Sequence, residues 1–260
     1  MRCEYERNSM SSGTIRAFPL TEFPVVEPQE DLVKLILEAV ENSGRNLKNG
    51  DILVITSKIV SISENRLVKA EDIEPTQRAR EIATENDFDP VHVELALRES
   101  TDIIRTKRVL ITETYSGLVC NFSGIDKSNA PEGSYILLPE DSDASAHRLR
   151  DSLMKLTGKN LAIIISDTQG RPWRKGSINV SIGCAGIAPF KYNKGKSDLY
   201  GRVLKRSTVC QVDEIAMLVE PLMGQAGQQT PVVIVRGYSY LDSEEEAKDI
   251  NRPKQEDMFR

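Results

Sequence analysis

The chain has 260 residues, with 34 lysine and arginine residues against 39 aspartate and glutamate residues, so its formal net charge is −5. This mildly acidic balance argues against a nucleic-acid-binding protein, which normally presents a basic surface to its ligand. The length allows one large domain or two small ones, with a core that needs no disulfide or structural metal.

The sequence shows no segment that predicts membrane insertion or secretion. The longest apolar runs, such as Leu161–Ile165, are far shorter than the roughly 20 residues of a membrane helix. The polar N-terminal segment lacks the apolar region of a signal peptide, and Met10 is an alternative candidate for the start. We therefore expect a cytoplasmic protein without membrane contact.

Cysteine and histidine are too dispersed to suggest a zinc site or a Ser-His-Asp triad. The four cysteines contain no C-x-x-C pair, and we expect them to be reduced, buried apolar side chains. His92 and His147 are isolated in amphipathic helical segments, which favours surface positions. A metal ion in this chain should therefore have oxygen ligands, as magnesium and manganese do.

The N-terminal half mixes helical patterns with short apolar strands. Helical spacing of apolar residues predicts a helix over Glu27–Asn42. Ile52–Ile55 is typical of a buried strand, which Ile59–Ile62 continues or follows as a second strand. Two short helices are predicted over Thr76–Asn86 and Asp89–Glu99, and the second begins with a capping aspartate before a proline.

The C-terminal half continues this mixture. Strands are predicted over Val109–Thr112, Leu118–Asn121, Leu161–Ser166 and Pro231–Arg236. Helices are predicted over Ser142–Leu156 and Gln211–Val219, the second of which Pro221 should end. Ser243–Ile250 is compatible with a helix in the charged tail.

Because helices and strands do not alternate regularly, the predicted fold class is α+β, with mixed sheets and flanking helices. We expect an N-terminal tail over residues 1–14, a main domain over 15–240 and a charged C-terminal tail over 241–260. A Pro/Ser/Asp-rich stretch near residues 130–143 is a candidate junction between two subdomains.

The most informative segment, S-D-T-Q-G-R-P-W-R-K-G at Ser166–Gly176, follows a predicted buried strand. Ligands of α/β sheets collect at the carboxyl ends of strands, and this end offers Asp167 and Thr168, followed by Arg171 and Arg174. A carboxylate and a hydroxyl can hold a divalent cation, and arginines bind phosphate oxygens through paired hydrogen bonds. The alternative is a turn with an aspartate cap and solvated basic residues.

Three further segments carry polar groups beside predicted strands. The segment Cys120–Asn129 reads C-N-F-S-G-I-D-K-S-N and offers Asp126 and Asn129 as oxygen ligands or hydrogen-bonding groups. In isolation, an Asx-turn is favoured for this segment. M-G-Q-A-G-Q-Q-T at Met223–Thr230 offers glycines for close backbone approach and three glutamines, without a Walker pattern. T-S-K places Lys58 at a strand end, where it can face a phosphate or lie on the surface.

Carboxylates for a metal, with donors and cations for phosphates, form the set that a metal-dependent nucleotide site requires. The sequence shows no nucleophile–base pair, so we expect a reaction that depends on positioning and charge neutralisation. A purely structural role is least favoured, because Asp167, Arg171 and Arg174 have little reason to cluster in a simple loop.

Over about Ile15–Gly237 the sequence resembles the γ-glutamyl ligases of the deazaflavin coenzyme F420. The resemblance rests on several motifs in order: G-D-I-L-V-I-T-S-K-I-V at Gly50–Val60, S-G-I-D-K-S-N at Ser123–Asn129, S-D-T-Q-G-R-P-W-R-K-G at Ser166–Gly176, D-L-Y-G-R at Asp198–Arg202, V-D-E-I-A at Val212–Ala216 and M-G-Q-A-G at Met223–Gly227. R-P-K-Q-E-D-M-F at Arg252–Phe259 is similar to a common family tail.

The resemblance implies a GTP-dependent amide ligase that forms an intertwined α+β homodimer. Such a ligase joins L-glutamate to the lactyl carboxylate of coenzyme F420-0 and can then add a further γ-linked glutamate. Phosphoryl transfer from GTP to the acceptor forms an acyl phosphate, which the glutamate amine attacks with release of phosphate. The family uses manganese or magnesium, with a two-metal site expected here, and potassium supports activity.

Residue roles follow from the matched positions. The resemblance assigns Asp126 and Asp167 to metal binding, Thr168 to contact with a second metal and Asn129 to the nucleotide. It places Gln225 at a metal-associated position. Asp126, Asp167, Arg171 and Arg174 are the candidate catalytic residues. Further nucleotide contacts are expected from three segments, whose residues are Phe23, Pro24, Val25, Val26, Ser57, Lys58, Met223, Gly224, Gln225, Ala226, Gly227, Gln228, Gln229 and Thr230.

Two positions depart from the family's pattern. Gln225 is neutral where relatives can be acidic, so it should bind a cation more weakly. I-S-E-N stands where members often have K-A-E-G, so Ile62 replaces a lysine that is expected to hold the nucleotide. Either Lys58 or Arg66 substitutes for that lysine, or nucleotide handling is altered.

These departures leave two alternatives open. One is a paralogous nucleotide-dependent carboxylate–amine ligase that acts on another acid. The other is a nucleotide- or deazaflavin-binding module without ligase activity, which would bind nucleotide without glutamate-dependent phosphate release.

Overall fold

The structure is a computed structural model that describes residues 13–258. Most of the predicted N-terminal tail, with Cys3 and Met10, lies outside the described residues, as does Phe259 of the family-like tail. The strands are β1 (Arg16–Pro19), β2 (Asp51–Thr56), β3 (Leu67–Lys69), β4 (Ser100–Arg105), β5 (Ile111–Thr114), β6 (Val119–Asn121), β7 (Ser134–Ile136), β8 (Leu161–Arg171), β9 (Arg174–Ala185), β10 (Phe190–Tyr192), β11 (Thr208–Cys210) and β12 (Val232–Arg236). The α-helices are α1 (Leu32–Asn42), α2 (Ser57–Ser63), α3 (Gln77–Asn86), α4 (Pro90–Arg98), α5 (Ser142–Thr157) and α6 (Gln211–Met223).

A five-stranded sheet in the order β1-β12-β2-β8-β9 forms the centre of the fold. β2 and β8 run parallel, whereas the other neighbouring pairs in this sheet are antiparallel. Its central strands are apolar runs buried on both faces. The strands predicted at Ile52–Ile55, Leu161–Ser166 and Pro231–Arg236 are therefore confirmed, as is the mixed α+β fold class.

Helices cover both faces of this sheet. α1, α2 and α5 pack on one face around Leu53 and Ile163. α6 and the C-terminal segment cover the other face around Ile164 and Val233. A separate core joins α3 and α4 to β7 and to the segments around the three-stranded sheet β4-β5-β6.

Capping side chains define the starts of three helices that the sequence predicted. Thr76, Asp89 and Asp141 each accept a backbone N–H in the first turn of α3, α4 and α5, respectively. Gly158 ends α5 with a left-handed backbone. These helices match their predicted limits to within one residue at each end. Across residues 13–258, none of the helices combines the length and apolar character that a membrane span needs.

Two predictions near the N-terminus are wrong. Residues 59–62 belong to helix α2 rather than to a strand, because the chain turns at the end of β2 and buries Ile59, Val60 and Ile62 against the sheet. α1 begins at Leu32 rather than Glu27. Gln29 has a left-handed backbone with φ 65°, and Asp31 caps the helix by accepting the backbone N–H of Lys34.

The strand predicted to end at Ser166 continues as β8 to Arg171 and returns as β9. The segment Ser166–Gly176 is therefore the outer part of a β-hairpin rather than a loop. Backbone hydrogen bonds between β8 and β9 hold this polar segment in the extended conformation. The sequence did not predict this part of the strand, because the segment lacks the apolar residues that mark a buried strand. The predicted strand pair β5 and β6 is confirmed, with β5 shifted two residues along the chain.

Two predictions in the C-terminal part are also wrong. α6 continues past Pro221 to Met223. Pro221 has no N–H to donate to the carbonyl of Met217, four residues earlier. Met217 lies on the exposed side of the helix, so water can bind that carbonyl instead. Within Ser243–Ile250 only Ala247–Ile250 is helical, as a single 3-10 turn.

The three described cysteines and His92 are all at least partly buried. Cys120 and Cys184 are buried and unpaired, as predicted, while Cys210 is partly buried. His92 is half-buried rather than on the surface, because its ring stacks on Phe122 with centroids 4.1 Å apart. Its Nε2 lies 3.2 Å from the carbonyl oxygen of Ile125, so His92 supports the turn that leads to the candidate site.

Asp89, the cap of α4, offers a test of the separate core around α3 and α4. It caps α4 and also binds Lys127 and the Tyr135 hydroxyl. Although burial acts to raise its pKa, these hydrogen bonds outweigh that effect and lower the pKa to about 2. We expect Asp89→Ala to reduce the free energy of unfolding by about 1–2 kcal/mol at pH 7. The ionised group stabilises the fold fully above its unfolded pKa, so this difference should shrink in urea titrations as the pH falls from about 4 towards 2.

Candidate active site

Two parallel strands bring the first pair of candidate residues together. β2 and β8 are in register from Asp51↔Leu161 to Thr56↔Ser166, so their carboxyl ends meet at one edge of the sheet. Ser57, the first residue of α2, donates its hydroxyl to Asp167 Oδ1 at 2.9 Å. Ser57 and Asp167 therefore lie together at the carboxyl ends of two parallel strands, the position where ligands of α/β sheets collect.

Asp126 reaches the same edge from the segment between β6 and β7. Lys58 Nζ lies 2.8 Å from Asp126 Oδ2 and also donates to the Ser128 hydroxyl at 2.5 Å. The backbone N–H of Ser128 donates to Asp126 Oδ1 at 2.7 Å, which is the contact of an Asx-turn. The Asx-turn orients the Asp126 carboxylate towards Lys58. We call Ser57, Lys58, Asp126 and Asp167 the Asp126 cluster.

The two carboxylates differ in their electrostatic surroundings. Burial raises the pKa of Asp167 to about 6, and the negative charge of Asp126 adds to this rise against the hydrogen bond from Ser57. For Asp126, burial also acts to raise the pKa, but hydrogen bonds from Lys58 and Ser128 outweigh it and lower the pKa. Near neutral pH the cluster holds two closely placed anionic groups and one ammonium group, which favours an additional cation.

Thr168 lies on the opposite side of the strand from Asp167, because successive residues of a strand point to opposite faces. Its hydroxyl oxygen lies 2.8 Å from Asn179 Oδ1 and 3.1 Å from Gln225 Oε1. Gln225 in turn donates to Glu220 Oε1 at 3.0 Å. The four predicted metal residues thus form two groups, Asp126 with Asp167 and Thr168 with Gln225. Asn179, on the unpredicted strand β9, is a site residue that the sequence did not indicate.

The loop Met223–Thr230 joins the remaining predicted nucleotide segments. Asn129 Nδ2 donates to the carbonyl of Ala226 at 3.5 Å, and the backbone N–H of Phe23 donates to the carbonyl of Gln229 at 3.1 Å. Phe23 and Val26 are buried, whereas Pro24 and Val25 are exposed. Residues 23–26, Asn129 and the loop therefore border one surface next to the Asp126 cluster.

Contacts within this loop define its shape. Gly224 has φ 71°, and a Cβ there would lie 2.4 Å from the side-chain amide carbon of Gln228. The Gln228 Oε1 atom accepts the backbone N–H of Ala226 at 2.8 Å, so this side chain closes the loop on itself. Gly224 is therefore needed for the conformation of the loop.

Arg171 and Arg174 lie at the tip of the β8–β9 hairpin, where they are cross-strand partners. Arg171 donates to the carbonyls of Lys175 and Gly176 at 2.8 and 3.2 Å. The tip is four residues beyond Asp167, a distance of about 13 Å along a strand. Within one chain, neither arginine lies beside the Asp126 cluster, so their catalytic role stays a prediction.

The replacement at Ile62 has a clear local context. Ile62 is buried in the main core, so it contributes packing and no charge to the site. Lys58 lies in the cluster, whereas Arg66 is held by Glu99, Glu140 and the carbonyl of Leu138. Of the two candidate substitutes for the missing lysine, only Lys58 contacts the carboxylate pair.

The chain is similar to known proteins over most of its length. A family model described as F420-0:gamma-glutamyl ligase matches residues 21–237. The coenzyme F420:L-glutamate ligase of Methanothermobacter thermautotrophicus is 42% identical over 240 residues, covering 91% of this chain and 95% of that protein. Proteins of the same name from Methanopyrus kandleri and Archaeoglobus fulgidus are 40% and 37% identical; each alignment covers 95% of this chain, and 98% and 96% of the respective relative.

Proposed function

This chain belongs to the F420-0:gamma-glutamyl ligase family, and from that premise we propose that it joins L-glutamate to coenzyme F420-0 through an amide bond. One observation carries the proposal: two consecutive residues bind two aspartates, Ser57 to Asp167 and Lys58 to Asp126. These contacts gather a carboxylate pair suited to a metal and a cation suited to phosphate at the carboxyl edge of the central sheet.

The proposed reaction has two steps and depends on GTP. The γ-phosphoryl group moves to the lactyl carboxylate of F420-0, which breaks its bond to the GDP oxygen and forms an acyl phosphate. The amine of L-glutamate then attacks the acyl carbon, so that a C–N bond forms, the C–O bond to phosphate breaks and the nitrogen loses a proton. A second cycle on the new γ-carboxylate would add a further glutamate.

The donor set around Asp126 and Asp167 fits a divalent cation. Both groups offer hard oxygen ligands, which suit manganese or magnesium. Among the described residues, no group of three or more His, Cys, Asp or Glu side chains is placed to hold a metal ion by itself, so hydroxyls, water and substrate oxygens would complete the coordination. We propose Thr168 and Gln225 for a second divalent ion, with potassium as an activating ion. A bound divalent ion neutralises phosphate charge and orients the transferring group.

The nucleotide would occupy the surface bordered by residues 23–26, Asn129 and the loop Met223–Thr230. Lys58 is the cation on that side, and its ammonium is already directed at the cluster by Asp126 and Ser128. We propose that Lys58 replaces the lysine missing at Ile62. Lys58 would thus hold a phosphate oxygen next to the carboxylate pair.

We also propose the homodimer that the family resemblance implied. Four neighbouring residues on α6, namely Met217, Leu218, Pro221 and Leu222, form an exposed apolar stripe. Such a stripe on one chain favours association with a partner. Light scattering on the purified chain should give the mass of two chains, and Leu222→Lys should shift it towards one. The mass of a single chain for the unchanged protein would contradict the dimer.

The direct test is a mass-spectrometric assay. Purified protein is mixed with GTP, manganese, potassium, L-glutamate and F420-0. We expect a product heavier by one or more glutamyl units, formed only when GTP is present. If GTP and manganese bind but no product forms with any tested acid, the binding-module alternative is favoured. A product with another acceptor only would favour the paralogous ligase.

Gln225→Glu tests the second metal position. The Gln225 amide donates to Glu220, so a glutamate there would place two carboxylates side by side. We expect the melting temperature of this variant to fall without divalent cation and to recover when manganese is added. Gln225→Met, which cannot bind the ion through oxygen, is the matched control. Equal responses of both variants to manganese would contradict a metal at this position.

A further inference from the structure

A cavity of about 290 Å³ lies between the β5–β6 turn, the segment before α5 and strand β9. It is separate from the nucleotide surface described above. Its lining combines a guanidinium group, two carboxylates and several hydroxyls, from Arg66, Glu99, Glu140, Thr114, Ser116 and Ser123. Ligand pockets usually measure about 300–1,000 Å³, so this cavity suits a small metabolite rather than a nucleotide or a deazaflavin.

Arg66 is the central polar group of this cavity. Its Nε donates to the carbonyl of Leu138 at 2.9 Å, and its two terminal nitrogens pair with Glu99 and Glu140. These contacts use three of the five N–H groups of a guanidinium, which leaves two for a ligand carboxylate. Glu99 and Glu140 lie beside it as acceptors for a positive group. A positive and a negative site side by side are the complement of an amino acid head group.

The cavity lies close to the chain segments that carry Asp126 and Asp167. Leu118 lines it, and Cys120 follows two residues later on β6, which packs against β8. Ser123 also lines the cavity, and Asp126 is three residues further on, a span of at most about 11 Å.

We propose that this cavity binds the amino acid co-substrate, with its α-carboxylate on Arg66 and its amine against Glu99 and Glu140. This inference rests on the proposed ligase function and gives L-glutamate a site distinct from that of the nucleotide. It also gives Arg66 a role that differs from nucleotide binding. The hydroxyls of Thr114 and Ser116 bond to each other at 2.9 Å, which leaves one of their two O–H groups to donate to the rest of the ligand.

The test compares L-glutamate with 4-aminobutyrate, which lacks the α-carboxylate but keeps the amine and the distal carboxylate. We expect Arg66→Lys to raise the KM for L-glutamate about tenfold or more, because the guanidinium binds a carboxylate through two directed hydrogen bonds. The preference for L-glutamate over 4-aminobutyrate should fall by a similar factor. The KM values for GTP and F420-0 should stay within about twofold of those of the unchanged protein.

Ser116→Phe provides a second variant that does not depend on the internal contacts of Arg66. Ser116 lies in an exposed turn, so a larger side chain there should fill the cavity without unfolding the chain. We expect the same selective rise in the KM for L-glutamate. Ser43→Phe, in an exposed turn after α1, is the control and should leave that KM unchanged.

The outcomes separate this inference from the ligase function. If ligation proceeds but both cavity variants keep the normal KM for L-glutamate, or raise only the KM for F420-0, the cavity proposal is overturned and the ligase stands. If the unchanged protein forms no product, the ligase proposal fails. Calorimetric titration with L-glutamate then decides the cavity: binding that Ser116→Phe abolishes supports it, and no binding overturns it.

Discussion

Asp167→Asn is expected to abolish ligation while the fold stays intact. Asparagine has the shape of aspartate and can still accept the hydrogen bond from Ser57, so the geometry at the end of β8 should persist. It lacks the negative charge that, with Asp126, would hold a divalent cation next to the transferring phosphoryl group. Removing one such electrostatic contribution lowers rates by about 10²–10³-fold or more. The measurement is the initial rate of glutamylated product by mass spectrometry.

Two controls make this result specific. The burial that raises the pKa of Asp167 disfavours its charged form, so the neutral variant should melt at the same temperature as the unchanged protein or higher. Asp151→Asn, on the exposed side of α5, should leave the rate unchanged. Turnover retained in Asp167→Asn would show that the carboxylate pair is not the reaction centre.

The part of this site that the sequence predicted depends on one strong pattern. β2 and β8 are apolar runs buried on both faces, and the sequence placed Lys58 and Asp167 just after them. Because ligand sites form at the carboxyl ends of strands, the sequence indicates these two residues even where the strand pairing is unknown. The helix cap at Asp89 is equally predictable from the sequence, because a cap depends only on neighbours along the chain.

The rest of the site depends on contacts that no local pattern encodes. The sequence places Thr168 next to Asp167 at the end of a strand, but β8 continues through both residues and directs Thr168 to the other face, towards Asn179. Arg66 meets Glu99 and Glu140 across 33 and 74 residues of sequence. The short strands β3, β4 and β7 likewise depend on their partners, since their own sequences lack sustained alternation. In β9, by contrast, apolar residues alternate with polar or small ones from Ile178 to Cys184, a strand signal that the sequence prediction did not use.

The strongest effect on stability is expected from Arg236→Met, away from the site. Asp51 begins β2 with its side chain fully buried, and Arg236 of β12 donates to both of its oxygens, at 2.7 and 2.6 Å. Removing the arginine leaves a buried carboxylate with only the backbone N–H of Lys48, 2.8 Å away, as its remaining donor.

A broken buried ion pair costs about 3–5 kcal/mol, and the partial exposure of Arg236 favours the lower end. Urea denaturation should therefore show a loss of about 3 kcal/mol in the free energy of unfolding. The double variant Asp51→Leu with Arg236→Met removes the unpaired charge and should recover part of that loss. If the double variant is as unstable as the sum of the two single variants, the cost of Arg236→Met arises from lost packing on Phe18 rather than from the stranded carboxylate.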